Sequence, residues 1–139
     1  MIYLLYRLDK LYSRYIFKLK DMLKELFGGK APEQVLLYLA NYDEGYGKAI
    51  ADTYGIALST VQKQLQKFED SGLLVSRSVG KTRLYTWNPR SPFVEQVKLL
   101  LAQRLKLTPE EEIKAYYRQR RRPRRADKPL VNPRRLNPS

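Results

Sequence analysis

Gly55-Ile56-Ala57-Leu58-Ser59-Thr60-Val61-Gln62-Lys63-Gln64-Leu65-Gln66-Lys67-Phe68-Glu69-Asp70-Ser71-Gly72 is the stretch on which the fold of this chain turns. Val61, Leu65 and Phe68 recur at steps of four and three, the period of one buried helical face. Just upstream, Tyr46 to Tyr54 carries Ala49, Ile50 and Tyr54 as apolar positions, and Gly55 breaks that pattern. The unit reads as a short helix, a three-residue turn opened by Gly55, and a second helix. Small Ala51 lets the second helix approach, Gly55 opens the turn, and branched Val61 packs between the helices, which is the geometry of a helix-turn-helix. The outward side chains of the second helix are Ser59, Thr60, Gln62, Lys63 and Gln66, with no acid before Glu69. Gln pairs bidentately with adenine, Ser and Thr donate or accept, and Lys reaches guanine or phosphate. Taken alone, the same face also fits an ordinary amphipathic helix with a solvated polar side.

The next residues break that tie. Gly72-Leu73-Leu74-Val75-Ser76-Arg77 reads as a strand, Val79-Gly80-Lys81 as a turn, and Arg83-Leu84-Tyr85-Thr86-Trp87 as a second strand rich in β-branched and aromatic residues. A hairpin directly after a helix-turn-helix is a wing. Arg77, Lys81 and Arg83 fall at its tip and flanks, where they are expected to touch phosphate or the minor groove. The expected fold is mainly α with a small β-hairpin wing: a winged helix-turn-helix with flanking N- and C-terminal helices.

Ile50 to Trp87 resembles the winged-helix transcriptional regulators of the ArsR-like and MarR-like kind. More narrowly, the chain is similar to small winged-helix proteins linked to nucleotidyltransferase genes in prokaryotes, some in abortive-infection or toxin–antitoxin modules. The residues that carry the resemblance are Leu26-Phe27-Gly28, Gly72-Leu73-Leu74 and Tyr85-Thr86-Trp87-Asn88-Pro89, within a match over Leu26 to Ala102. The arginine-rich Arg124-Arg125-Ala126-Asp127-Lys128-Pro129 also looks like such proteins. The resemblance implies sequence-specific DNA binding, usually as a dimer. ArsR-type metal sensing does not carry over, because its Cys and His ligands have no counterparts.

Outward from the wing, Ser91-Pro92 reads as a cap and first helical turn, followed by the stripe Phe93, Val97, Leu100, Leu101 and Leu105. Thr108-Pro109-Glu110-Glu111 reads as a capping box, which accounts for the acidic run Glu110-Glu111-Glu112 without a metal site. Ile113, Tyr116 and Tyr117 are expected to pack the last helix. On the other side, Gly28-Gly29 closes a long amphipathic helix, and Pro32 opens the next, with Val35, Leu36, Leu39 and Ala40 as its buried face. Tyr42-Asp43-Glu44-Gly45 reads as a loop. The first helix carries Leu4, Leu8, Leu11, Tyr15, Leu19, Met22 and Leu26 as one stripe. It is expected to dimerise or to clasp the following domain, with membrane-surface binding as the competing reading; it is too charged to span a bilayer. The organisation is therefore residues 1–27, amphipathic helix; 28–90, winged helix-turn-helix; 91–117, C-terminal helices; 118–139, basic tail. The helix at Phe93 to Leu105 and the N-terminal helix form the candidate dimer surface.

The chain has 139 residues, 27 Lys or Arg against 14 Asp or Glu, and a net charge of +13. That excess points to a polyanion. Lys114 to Ser139 holds ten of the bases and one acid, Asp127, so most of the net charge lies in the last fifth of the chain. Four of the eight prolines lie there too, and like charges repel at short spacing, so a disordered arm is expected. Arg118, Arg120, Arg121, Arg122, Arg124 and Arg125 are its candidate phosphate or minor-groove contacts, the alternative being a solubilising tail.

There is no His and no Cys. Hydrolytic triads, Cys–His pairs, zinc fingers and disulfides are excluded. Gly28-Gly29-Lys30 lacks the glycine spacing and following hydroxyl of a phosphate loop. No nucleophile with a base and no paired carboxylates on one face are legible, so no enzyme, cofactor or metal is expected. The expected function is that of a sequence-specific double-stranded DNA-binding transcriptional regulator, a cytoplasmic homodimeric repressor. The competing readings are an architectural or segregation protein that coats DNA, an RNA-binding module, or an antitoxin-like partner of a nucleotidyltransferase toxin.

Overall fold

The computed structural model describes residue 18 and residues 21–119. Residues 1–17, 19–20 and 120–139 lie outside the described residues, and with them most of the N-terminal stripe and all of the arm beyond Gln119. Residues 21–27 are helical (α1). The chain then runs through α2 (Lys30–Tyr42), β1 (Glu44–Tyr46), α3 (Gly47–Tyr54), α4 (Leu58–Asp70), β2 (Leu74–Val79), β3 (Thr82–Trp87), α5 (Val94–Lys106) and α6 (Glu110–Glu112), which continues into one turn of π-helix at Ile113–Tyr117. The strands form an antiparallel sheet in the order β1-β3-β2. The sheet packs against α2, α3 and α4, and the β2–β3 hairpin follows the α3–α4 pair as a wing. This is a winged helix-turn-helix.

One apolar cluster holds these elements together. Val35, Leu36 and Leu39 of α2, Ile50 of α3, Val61 and Leu65 of α4, Leu74 of β2 and Leu101 of α5 are fully buried. The period of four and three in α4 thus points Val61, Leu65 and Phe68 inward, as its sequence demands. The Trp87 indole N–H donates to the Leu39 carbonyl (3.1 Å), tying β3 to α2 inside the core. A buried indole needs such a partner. The C-terminal turn is docked by polar contacts to the same helix. Asn41 Nδ2 donates to the Tyr117 carbonyl (2.9 Å), and the Tyr42 hydroxyl donates to the Tyr116 carbonyl (2.7 Å).

Five local expectations give way to the observed structure. Glu44 and Gly45 are not loop: Glu44–Tyr46 is a strand paired to Thr86, Tyr85 and Leu84 of β3. Asp43 alone makes the turn, as a left-handed C-cap whose N–H bonds the Leu39 carbonyl (2.8 Å). Short polar side chains tolerate that conformation. On α1, Met22 and Leu26 face outward, while Leu23 is buried and Phe27 packs on the core. On α5, Phe93 is 69% exposed and Val94 takes the inward position instead. Ser91 Oγ accepts only the Phe93 N–H (3.4 Å), and the helix begins at Val94. The capping box at Thr108 does not form. Its hydroxyl donates to the Arg104 carbonyl (3.1 Å) and accepts from Arg104 Nη1 (2.9 Å), so α6 starts without a side-chain cap.

Gly45 is held to its residue type by packing. A Cβ there would lie 2.7 Å from Tyr38 Cε1 and 3.1 Å from Tyr38 Cδ1, and Tyr38 is itself buried. Gly45→Ala is expected to cost about 1–3 kcal/mol, the usual range for forcing extra volume into a packed core. Urea denaturation checks this, and Tyr38→Leu in the same background should recover part of the loss by clearing the contact.

Candidate nucleic-acid interface

The helix-turn-helix is built from α3, the turn Gly55-Ile56-Ala57, and α4. Gly55 adopts φ 65°, the left-handed cap that ends α3, and its N–H bonds the Ala51 carbonyl. Ala51 and Val61 are buried where the two helices meet. With Val61, Leu65 and Phe68 inward, Ser59, Thr60, Gln62, Lys63 and Gln66 are all exposed on α4. Lys63 forms no ion pair, and the Gln62 amide has no hydrogen-bond partner among the described residues. Gln66 differs: its Nε2 donates to Asp70 Oδ1 (2.8 Å), drawing the amide toward a carboxylate at the C-terminal end of the helix.

The wing places its three candidate cations at different positions. Val79 pairs with Thr82 across a two-residue turn of Gly80 and Lys81, and Gly80 holds φ 61°. Lys81 is exposed at the tip. Arg77 pairs in register with Leu84, and Ser78 with Arg83. Successive residues of a strand face opposite sides, so Arg77 and Arg83 lie on opposite faces of the wing. Arg83 Nε donates to Ser76 Oγ (3.2 Å), which braces it along its own face. Arg77 and Lys81 are free of ion pairs among the described residues.

The ion pairs among the described residues lie elsewhere. Lys48 meets Asp52 (3.7 Å), Lys98 meets Asp43 (3.8 Å), Arg104 meets Glu33 (3.5 Å), and Arg118 meets Glu110 (2.7 Å). Arg118, the first candidate contact of the arm, is therefore partnered within the chain. Next to it, Gln119 is anchored to α2 and α3: its backbone N–H donates to the Tyr42 hydroxyl (3.0 Å) and its Oε1 accepts from Thr53 Oγ1 (2.9 Å). Arg120, Arg121, Arg122, Arg124 and Arg125 lie outside the described residues.

One residue of this surface escapes the sequence pattern. Leu58, the first residue of α4, is 41% exposed. An apolar residue opening an amphipathic helix is assigned by default to the core, and only packing distinguishes the two. Leu58 and Gln62 share one flank of α4, and both lie beside the start of α3. A Cβ on Gly47 would be 3.6 Å from Leu58 Cδ1 and 3.8 Å from Gln62 Cγ.

A cavity of about 440 Å³ lies among α1, α2, α5 and the π turn. Glu33 and Arg104 stand in its wall with side chains only 8% and 11% exposed. Glu33 Oε2 and Arg104 Nε have no partner among the described residues. Burial pushes the Glu33 carboxyl above its usual range, and the Arg104 guanidinium opposes that shift. The Tyr54 hydroxyl donates to the Tyr117 hydroxyl in the same wall (3.1 Å). Burial drives Tyr54 far above its ordinary value and Tyr117 up to about 12, so both are neutral at physiological pH. Among the described residues no cluster of carboxylates could hold a metal ion, and no helix is long and apolar enough to cross a membrane.

No protein-family model matches the chain, and no curated protein matches it. Among solved structures, that of a double mutant of Lactococcus lactis ZitR in apo form aligns with 77% of this chain and 87% of that one, at 17% identity and a TM-score of 0.41. A similarity that slight adds nothing to the fold described above.

Proposed function

We propose that this chain is a sequence-specific double-stranded DNA-binding transcriptional regulator that acts as a dimeric repressor. The observation that carries the reading is the α4 surface: five exposed side chains able to read or hold DNA, with no acid before Glu69, on the second helix of a helix-turn-helix. In this reading α4 enters the major groove, Arg77 and Lys81 of the wing rest on the backbone or minor groove, and the arginine arm adds affinity. The resemblance to ArsR-like and MarR-like regulators, and to those linked to nucleotidyltransferases, points the same way. Exposed Met22 and Leu26 on α1 and Leu99 on α5 supply apolar surface for a second copy, which would set half-site spacing.

The test compares binding of the full chain to its own upstream duplex, to random duplex and to structured RNA at physiological salt. The upstream duplex is expected to win by about a thousandfold or more. Ser59→Ala, Thr60→Ala or Gln62→Ala should each cut that preference by about fivefold or more while leaving random-duplex binding unchanged. Equal affinity for all three nucleic acids rejects the regulator reading.

A further inference from the structure

We infer that the flank of α4 formed by Leu58 and Gln62 selects an adenine next to a thymine, with Gln62 pairing to the adenine edge and Leu58 covering the thymine 5-methyl group. This rests on the DNA-binding reading above and specifies what that surface reads. Leu58 is the one apolar side chain of α4 with large exposure, and it stands at the N-terminal end, the end a recognition helix presents to base edges. A helical step of four places Gln62 on the same flank. Their shared closeness to Gly47 places both side chains beside the start of α3, next to Leu65.

The donor and acceptor inventory then separates the two exposed amides. Among the described residues neither end of the Gln62 amide has a hydrogen-bond partner, which suits the bidentate pairing to adenine N6 and N7. Gln66 is bonded to Asp70, whose carboxylate repels a phosphate chain. The thymine methyl is the apolar feature of the major-groove edge, and an exposed leucine is the side chain that gains by covering it.

The probe is a duplex enriched from a random pool by the full chain. Each thymine in it is replaced singly by deoxyuridine, which lacks only the methyl group, and each adenine by 7-deazaadenine, which lacks only the N7 acceptor. Affinity is read by fluorescence anisotropy. Wild-type protein is expected to lose about fourfold at one thymine per half-site, the effect of exposing one methyl-sized apolar group. It should lose about fivefold or more at the neighbouring adenine. Leu58→Ala should bind the unmodified duplex about fourfold more weakly and show no further loss with deoxyuridine at that thymine. Gln62→Ala should likewise become blind to 7-deazaadenine. The scan on wild-type protein needs no variant, so folding of Leu58→Ala does not limit it. An enriched duplex indifferent to every deoxyuridine replacement overturns the Leu58 contact, as does methyl sensitivity that persists in Leu58→Ala. Sensitivity to 7-deazaadenine that survives in Gln62→Ala overturns the Gln62 contact. Failure of the pool to enrich any sequence overturns sequence-specific binding itself, a different result from either.

Discussion

Removal of residues 120–139 is expected to weaken binding to every duplex alike, by roughly a hundredfold at physiological salt. That segment holds eight Lys or Arg and a single acid. Each phosphate a cation neutralises releases condensed counterion, and the logarithm of affinity falls with the logarithm of salt by about 0.9 per phosphate. If half of the eight cations engage, the truncated protein should show a salt dependence shallower by about four. The ratio of affinities between the preferred duplex and random duplex should stay constant, because phosphates carry no sequence. Titration of both duplexes over a range of salt separates these quantities. An unchanged slope and affinity would mean that the segment is only a solubilising tail.

The second large effect is on stability. Arg104→Met should destabilise the fold by about 3–5 kcal/mol, because it strands the Glu33 carboxylate in the α2–α5 interior. Glu33 is 6% exposed, and its Oε2 already lacks a partner among the described residues. The pH dependence carries the signature. Folded Glu33 holds its proton more tightly than the unfolded chain does, chiefly through desolvation, and Arg104 restrains that shift. A raised carboxyl costs nothing below the unfolded value of about 4.3, where both states are protonated, and the cost grows as pH rises through the folded value. Without Arg104 the folded value climbs further, so the defect should be greatest at neutral pH and shrink toward pH 4. Glu33→Leu combined with Arg104→Met should recover most of the stability, since replacing both members of a buried pair by apolar groups is often neutral. Urea unfolding of the wild type, Arg104→Met and the double variant at several pH values tests this. A defect independent of pH would assign the role of Arg104 to packing and to its hydrogen bond with Thr108.

The helix-turn-helix was legible because its signals are local. The period of Val61, Leu65 and Phe68, and a glycine opening the turn, depend on neighbours within about four residues. The wing was legible for the same reason, through the Gly80-Lys81 turn between β-rich runs. β1 was not, because three residues cannot display an alternation and its pairing partner Thr86–Leu84 lies some forty residues on. In α1 two apolar stripes compete, Met22 with Leu26 and Leu23 with Phe27, and only the packed core decides that the second turns inward. The Thr108 motif failed through competition, its hydroxyl being captured by the carbonyl four residues back. Of the candidate site, the α4 face followed from helical period. The division of Arg77 and Arg83 between opposite wing faces required the strand register, and the exposure of Leu58 required knowing where α3 ends its cover.

If the residues after Gln119 contact DNA as proposed, the fastening of Gln119 to Tyr42 and Thr53 also governs how strongly they contribute. On the DNA-binding proposal, a segment that starts from a residue fixed beside α3 would act as a second binding module on a short tether. In the proposed reading, once α4 is seated, the cations from Arg120 onward would meet DNA at an effective concentration set by that root, of millimolar order for a short connection. The gain is one of avidity. It scales with where the chain is pinned as much as with how many arginines follow, and a flexible spacer after Gln119 would dilute it without removing one charge.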